Sequence, residues 1–278
     1  MPELAEVEFG RKVAHEVAAG RRIREVWCAD DEIVFEGEGP EAVQAALRGR
    51  VVVDTHRHGK HIWFELDRRP WPLFHFGMTG AFRVPGGVPL VLASSPKRSS
   101  EAPFPPRFAK IVLTMEDGGL LAMTSARRLA RIRLRQDPRA EPPLCNLGFD
   151  PYLEMPTLDA FRALVARRRG TLKGLLLDQG FAAGVGNWIA DEVLYQARLD
   201  PRRPVDGLTS AEVERLRDKL VHVVHTAVAV DADSARFPKG WLFHHRWGKA
   251  ADAKVGGQAI QHITVAGRTT AWVPTRQR

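Results

Sequence analysis

A change of pattern near residue 136 constrains the fold of this chain more than any other feature. Before it, most segments have strand character, and one helical stretch stands at the start, over residues 4–19. After a proline-rich stretch, apolar residues recur at helical spacing from about residue 156 to 235, and short strand-like pieces return from 236. Strands and helices that are segregated along a chain favour an α+β fold. We therefore predict a mostly β domain at 1–136, a linker at 137–155, a helical domain at 156–235 and a short β region at 236–278.

Turn-forming residues divide the first region into predicted strands. Two extended arms surround a turn at His58-Gly59, and Asp117-Gly118 supplies the turn of a second hairpin. The glycines in PLFHFGMTGAFRV predict a sharp bend within a strand. Residues 85–107 are rich in Pro, Gly and Ser and are predicted to form a long loop. Further strands are predicted for the segments RRIREVW, DEIVFEG, WLFHHRW, AIQHITV and TTAWV.

The charge balance favours a polyanionic partner. The chain has 41 Lys plus Arg against 33 Asp plus Glu, which gives a formal net charge of +8. Arginine is the more frequent cation, and its planar fork of donors matches phosphate. Nucleic acid is therefore the favoured partner. A basic protein without such a partner would have the same composition.

The cysteine count and the apolar runs narrow the class of protein further. Two lone cysteines, Cys28 and Cys145, argue against a disulfide framework and against a cysteine-ligated metal. No apolar run is long enough for a membrane span, and the acidic residues near the start do not suit a secretory leader. We therefore expect a cytoplasmic protein.

The stretch LLLDQGFAAGVGNWIADEVLY predicts two helices joined by a glycine-rich turn, with Asn187 as the cap of the second helix. A helix N-terminus offers free N–H groups and the positive end of the helix dipole, so it can bind an anion. Glycines before it allow a phosphate backbone to approach closely. A helix hairpin with a good cap and no ligand is equally compatible with this spacing.

The start MPELAEVE also has two interpretations. Proline suits the first turn of a helix, because its missing N–H has no partner there in any case. If Met1 is removed, however, Pro2 becomes a secondary amine, and an α-amino group has a pKa of only about 8. Such an amine is a nucleophile that can form a Schiff base. Glu3 would stand beside it as an acid or base.

Five motifs follow one another along the chain: the start MPELAEVE, the hairpin lysine Lys60, the strand HFGMTG, the turn GVGN and the terminal AGRTT. Together they resemble the formamidopyrimidine-DNA glycosylase / endonuclease VIII family of base-excision repair enzymes. The resemblance extends over essentially the whole chain. It implies a catalytic β-sandwich with a leading helix at 1–136, a helix–two-turns–helix DNA-binding domain at 156–235 and a β-hairpin finger at 236–278.

The resemblance assigns catalytic roles to four residues. Pro2, after loss of Met1, matches the nucleophile that attacks C1′ of the damaged nucleotide. Glu3 matches the acid/base that assists opening of the sugar. Lys60 matches a lysine that contacts phosphate beside the lesion, and Arg268 matches the arginine at the tip of the finger.

Further residues match the family's DNA contacts. Met78 and Arg127 match the side chains that fill the space left by the extruded base, which is how such proteins stabilise a kinked duplex. Leu129 stands where the family often has Phe, and leucine cannot stack on a base. Phosphate contacts are implied for Arg128, Lys173, Gly186 and Asn187.

The finger departs from the pattern of many relatives, which bind zinc there with four cysteines. The matching positions hold Ala253, Gly256, Val273 and Arg276, and none of these is a zinc ligand. We therefore expect a zincless finger with no metal and no cofactor, in which His244, His245 and His262 form no metal site. Apolar packing would replace the metal, with Ile260, Ile263, Val265, Trp272 and Val273 as its candidates.

The implied function is a bifunctional DNA glycosylase and AP lyase that acts as a monomer on damaged double-stranded DNA. It would remove oxidised bases through a Schiff base on Pro2, followed by β,δ-elimination, in the cytoplasm at the bacterial nucleoid. The short loop at 230–241 favours oxidised pyrimidines, formamidopyrimidines and hydantoins over 8-oxoguanine. Two alternatives remain: a non-catalytic damaged-DNA-binding protein of the same fold, and a helix–two-turns–helix nucleic-acid-binding protein unrelated to repair.

Overall fold

The computed structural model describes residues 1–87, 103–248 and 252–278, and these divide into two units, Met1–Asn146 and Leu147–Arg278. Most of the loop predicted at 85–107 lies outside the described residues. The elements of the first unit are α1 (Leu4–Ala18), β1 (Ile23–Cys28), α2 (Pro40–Leu47), β2 (Val52–His58), β3 (His61–Leu66), β4 (Trp71–His75), β5 (Ala81–Arg83), β6 (Ala109–Met115), β7 (Leu120–Thr124) and β8 (Arg131–Arg135).

Two antiparallel four-stranded sheets make up most of the first unit. Their strand orders are β1-β6-β7-β5 and β2-β3-β4-β8. Buried apolar residues of both sheets join those of α1 and α2 in one core. The ring of Phe82 in β5 lies 5.3 Å from that of Phe74 in β4 and 5.8 Å from that of Phe64 in β3, so the two sheets contact each other directly. The predicted β-sandwich with a leading helix is confirmed.

The glycine-interrupted strand bends where it was predicted to bend. Strand β4 belongs to one sheet and β5 to the other, so the chain crosses between sheets over residues 76–80. Gly77 has a φ of +63°, a conformation that side chains with a Cβ rarely adopt. The crossing therefore depends on a glycine, and it leaves Met78 in the turn between the sheets.

Two strand predictions are wrong. In DEIVFEG, the N–H groups of Val34 and Phe35 donate to the carbonyl of Asp31 at 2.9 and 3.1 Å, so the segment forms a turn. In WLFHHRW, residues Leu242–His244 form a 3-10 turn. The N–H of Phe243 donates to the Glu192 carboxylate at 2.9 Å. Both segments use their apolar residues for a core instead of a sheet.

The second unit contains the helices and the terminal hairpins. Its elements are α3 (Leu158–Ala166), α4 (Leu172–Leu177), α5 (Asn187–Ala197), α6 (Ser210–Ala229), β9 (Lys254–Val255), β10 (Gln258–Ala259), β11 (Gln261–Val265) and β12 (Arg268–Trp272). Thr209 and Glu212 form the capping box at the start of α6. Among the described residues, no helix is long and apolar enough to span a membrane.

Candidate functional site

The N-terminus is fixed inside the first unit and does not fray. Pro2 is buried, and Glu3, the residue that precedes α1, is 3% exposed. The backbone N–H of Glu3 donates to Glu6 Oε2 at 3.0 Å, which closes the first turn of the helix. Pro2, the predicted nucleophile, and the neighbouring residue Glu3 therefore both lie in an ordered, buried segment.

The hairpin that carries Lys60 is anchored to α1 by a buried ion pair. Gly59 and Lys60 form its turn, one residue later than predicted, and Lys60 is 8% exposed. The Arg57 guanidinium donates from Nε to Glu8 Oε2 at 2.8 Å and from Nη1 to the Gly59 carbonyl at 2.9 Å. Glu8 is also paired with Arg11 at 2.8 Å. The turn is therefore linked to α1 through the Arg57 side chain.

The turn that carries Met78 approaches the loop that carries Arg127. A Cβ atom on Gly77 would lie 2.2 Å from the Leu129 carbonyl oxygen, so the two backbones touch where Gly77 stands. Met78 is half-buried, Arg127 is exposed and Leu129 is 41% exposed. The structure thus brings together the two turns whose residues the resemblance assigned to the space left by an extruded base or to its neighbourhood.

Arg128 has a partner that the sequence did not reveal. Its Nε and Nη2 both donate to the carboxylate of Asp31, at 3.0–3.1 Å, and Lys110 Nζ donates to the same group at 2.6 Å. Burial would raise the pKa of Asp31, but the hydrogen bonds and charges of Arg128 and Lys110 outweigh it and lower that pKa. Arg128 itself stays 53% exposed, with a φ of +55°. Asp31 therefore fixes this arginine while leaving it within reach of solvent.

Two histidines lie beside the Lys60 and Met78 turns. The rings of His61 and His75 stand 4.8 Å apart, and His75 Nδ1 accepts the N–H of Gly77 at 3.2 Å. Burial, and then the positive charges of Lys60 and of Arg133 and Arg131, lower the pKa of His75 to about 4. Burial and the neighbouring cations also hold the pKa of His61 well below its ordinary value.

We expect the stability of the first unit to fall as the pH drops from 7 to 5. His75 stays neutral in the folded state, whereas in the unfolded chain it takes up a proton below its ordinary pKa of 6.5. The stabilisation is therefore present above pH 6.5 and is lost as the pH approaches 4, by about 2 kcal/mol at pH 5. Urea unfolding at both pH values should show a smaller loss in His75→Asn, whose amide oxygen can still accept the Gly77 N–H. Equal losses in both proteins would contradict this role.

In the second unit, the helix pair forms as predicted but Asn187 is not the cap. Gly186 is the N-cap of α5 and Asn187 is its first helical residue. The Asn187 Nδ2 group donates to the Thr269 carbonyl of β12 at 2.9 Å. In the glycine-rich turn, Gln179 donates to the Val185 carbonyl at 2.8 Å and accepts the N–H of Gly184 at 3.1 Å. Gln179 thus shapes the turn, and Asn187 connects it to the terminal hairpin.

Lys173 does not lie where a phosphate contact would place it. Its side chain is 0% exposed, and its Nζ donates to Asp191 Oδ1 and to the Asn187 carbonyl, the latter at 3.0 Å. A charge in this position needs a partner, because an unpaired buried ion is costly. The structure therefore contradicts the direct phosphate contact expected for Lys173 and gives it an interior partner instead.

The terminal hairpin presents Arg268 at its turn. Ala266 and Gly267 both have positive φ, and Val265 pairs with Arg268 across the turn. Apolar residues of the finger pack with Tyr195 and Leu242, among them Val255, Ile260 and Val273. Of the other residues expected in that core, Val265 and Trp272 are buried and Ile263 is half-buried.

The residues at the four positions that match zinc ligands in relatives make other contacts in this chain or form part of a turn. Ala253 packs against the finger core, Val273 lies within it, and Gly256 adopts a φ of +56°. The Arg276 guanidinium lies 4.6 Å from the centre of the Tyr195 ring. Within the three described ranges, no group of three or more His, Cys, Asp or Glu side chains could hold a metal ion.

Three family models match the chain in order. They are the N-terminal domain of formamidopyrimidine-DNA glycosylase over residues 1–132, its H2TH domain over 147–239 and the Fpg-like C-terminal domain over 241–274. Among curated proteins, formamidopyrimidine-DNA glycosylase of Arabidopsis thaliana is 42% identical over 278 residues, covering 100% of this chain and 71% of the plant protein. The Thermus thermophilus enzyme of the same name is 32% identical over 290 residues, covering 100% of this chain and 98% of the bacterial protein.

Solved structures share the fold. Lactococcus lactis formamidopyrimidine-DNA glycosylase bound to DNA with an AP site matches with a TM-score of 0.79 and 23% identity, over 99% of each chain. MutM in complex with DNA containing carbocyclic 8-oxo-G matches with a TM-score of 0.80 and 24% identity, over 100% of each chain.

Proposed function

This chain belongs to the formamidopyrimidine-DNA glycosylase family and is a DNA glycosylase of base-excision repair, and from that premise we propose that its reaction begins at Pro2. The observation that carries the proposal is the ordered N-terminus, with Pro2 buried and Glu3 fixed beside it. Removal of Met1 converts the amide nitrogen of Pro2 into a secondary amine. Because an α-amino group has a pKa of about 8, roughly a tenth of it is neutral at pH 7.

The chemical steps follow from that amine. The Pro2 nitrogen bonds to C1′ of the damaged nucleotide and loses its proton, and the bond from C1′ to the base breaks, so the base leaves with the electron pair and takes up a proton. Glu3 donates a proton to the ring oxygen O4′ as the sugar opens, which leaves an iminium ion between Pro2 and C1′. The iminium acidifies the C2′ proton. Its removal expels the 3′ phosphate, and a second elimination expels the 5′ phosphate. Water then hydrolyses the iminium that remains between Pro2 and C1′, which releases the unsaturated sugar fragment as an aldehyde and returns Pro2 as the free amine.

We propose that basic residues and turn residues of both units bind damaged double-stranded DNA. Lys60 and Arg128 would bind phosphate in the first unit, and the Gly186–Asn187 start of α5 would bind it in the second. Arg268 would contact DNA from the exposed finger turn. Met78 and Arg127 would fill the space left by the extruded nucleotide, and their neighbouring turns support this pairing.

The remaining assignments are also proposals. We infer a functional division into 1–136, 137–155, 156–235 and 236–278, and a monomer without bound metal that works on nucleoid DNA in the cytoplasm. The net charge of +8 supports the DNA partner, and Ala253 and Val273 at two of the ligand positions support the absence of zinc. The short 230–241 loop supports a preference for oxidised pyrimidines, formamidopyrimidines and hydantoins over 8-oxoguanine.

Borohydride trapping on an abasic duplex tests the role of Pro2. We expect the processed protein to form a stable covalent adduct, because reduction of the iminium fixes the bond between Pro2 and C1′. The same chain with a permanent N-terminal extension has an amide at Pro2 and should form none. The variant Lys60→Met keeps the terminal amine and should still be trapped, since Lys60 is not the nucleophile.

The outcomes separate the candidate functions. Equal trapping of the extended chain would assign the nucleophile to another residue. A processed protein that binds the duplex but never yields an adduct would be the non-catalytic damaged-DNA-binding protein of the same fold.

A further inference from the structure

A buried carboxylate in the second unit connects four parts of the chain. Asp191 lies in the middle of α5 and is 1% exposed. Its Oδ1 accepts from Lys173 Nζ of α4, and its Oδ2 accepts from Arg246 Nη2 at 2.5 Å and Nε at 3.2 Å. The same Oδ2 accepts the backbone N–H of Ala271, in β12 of the finger, at 3.1 Å. One side chain therefore joins two helices, the segment after the 3-10 turn and the finger.

The charges of this cluster depend on one another. Lys173 is 0% and Arg246 9% exposed, so both cations are desolvated beside Asp191. Each would be expensive to bury alone, and the carboxylate is their common partner. The neighbouring Glu192 is buried too, and burial raises its pKa to about 7. Asp191 is therefore the member whose removal leaves two buried cations without their shared counter-ion.

The same cluster is continuous with residues proposed to bind DNA. Lys173 donates to the carbonyl of Asn187, and the Asn187 side chain donates to Thr269 of β12. His262 of β11 contacts the Arg246 carbonyl through Nε2 at 3.2 Å. Both strands of the finger hairpin are thus hydrogen-bonded to this cluster or to the start of α5.

Apolar packing alone would not fix the finger this closely. The finger core around Ile260 and Val273 gains stability from burial, which has no directional preference. The bond from Ala271 N–H to Asp191 sets one position of β12 relative to α5. Ala271 stands three residues from Arg268, which is about 10 Å along a strand.

We propose that Asp191 is a positioning residue that holds the finger, and with it Arg268, in register with the DNA-binding start of α5. The ion cluster supplies the directional constraint that four cysteines and a zinc ion supply in many relatives. This inference rests on the DNA-binding roles proposed above for Arg268 and Asn187. Asp191 touches no reacting atom in this scheme and acts through the finger.

The variant Asp191→Asn tests the proposal, because it keeps the shape of the side chain and removes its charge. We expect it to bind a duplex containing a tetrahydrofuran abasic analogue about tenfold more weakly. The rate of strand cleavage at saturating abasic DNA should stay close to that of the unaltered protein, since Pro2 and Glu3 lie in the first unit. Hydrogen exchange should become faster in β11 and β12 and stay unchanged in β2 and β3. A control, Asp218→Asn, alters an exposed aspartate of α6 and should change none of these quantities.

Two results would overturn the proposal: finger amides in Asp191→Asn as protected as in the unaltered protein, or affinity for the analogue equal to that of Asp218→Asn. If Asp191→Asn fails to fold, Asp191→Glu keeps the negative charge but moves the carboxylate by one methylene away from the N–H of Ala271, and it should show the same selective loss of protection in the finger. Unchanged exchange in Asp191→Glu would then reject the proposal. Failure of the proposed function would show separately, as absence of borohydride trapping in the unaltered protein.

Discussion

Replacement of Glu3 by glutamine is expected to slow removal of a damaged base by about two to four orders of magnitude, the usual contribution of a positioned acid or base. Glu3 is 3% exposed and follows Pro2 directly, and its backbone N–H is held by Glu6 at 3.0 Å. Glutamine preserves the size and polarity of the side chain but cannot donate the proton that opens the sugar. Single-turnover excision of a formamidopyrimidine or an oxidised pyrimidine from a duplex measures the effect.

The same variant should keep part of its activity on a preformed abasic site. An abasic sugar is in equilibrium with its ring-opened aldehyde, so the ring opening proposed for Glu3 needs no acid there, and an amine at Pro2 would still form the iminium. Glu16→Gln is the matched control, because Glu16 is an exposed glutamate of the same helix and should leave both rates unchanged. Excision by Glu3→Gln at the rate of Glu16→Gln would remove Glu3 from the mechanism.

The sequence could predict the local structure around those candidate site residues whose signals are local. MPEL, GVGN and AGRTT are short motifs, and the helix start after Pro2 and the turns beside Gly186 and Arg268 need only neighbouring residues to form. The α+β fold was predictable for the same reason, since helical and strand spacing change at definite places along the chain. The bend at Gly77 was visible as glycines within a strand.

Partners that are distant in sequence were not predictable. Asp31 and Arg128 are 97 residues apart, and Asp191 and Ala271 are 80 apart, so no spacing rule connects them. Asp31 also explains why the strand prediction for DEIVFEG is wrong, because its carbonyl closes a turn where the apolar residues had indicated an extended chain. Asp191 did leave a signal. An acidic residue among the apolar positions of WIADEVL predicts a buried charge, and a buried charge requires a partner.

Lys173 shows how an interior partner changes the role of a residue. A lysine at the start of a helix beside a glycine-rich turn suits a phosphate contact, and the family resemblance implied one. Its side chain is instead fully buried against Asp191. Its effect on DNA would therefore be indirect, through the Asn187 carbonyl that it holds.

The variant Arg57→Met is expected to lower the free energy of unfolding by about 3 kcal/mol, because it removes a buried cation that is paired with the buried carboxylate of Glu8. The Arg57 side chain is 0% exposed and lies 2.8 Å from Glu8, and it also donates to the Gly59 carbonyl in the Lys60 turn. Cleavage of abasic DNA should fall together with stability, since the turn that carries Lys60 loses its anchor. Urea unfolding and a cleavage assay measure the two effects.

A second variant and a control distinguish the buried pair from an ordinary surface charge. The double variant Glu8→Gln/Arg57→Met removes both charges of the pair. Its loss of unfolding free energy should be smaller than the summed losses of the two single variants, because each single variant leaves one buried charge without its partner and the double variant does not. Arg24→Met breaks an exposed pair with Glu25, where the side chains are 52% and 67% exposed, and should change the free energy of unfolding by less than about 1 kcal/mol. If Arg57→Met costs no more than Arg24→Met, the Arg57 guanidinium is not what fixes the hairpin to α1.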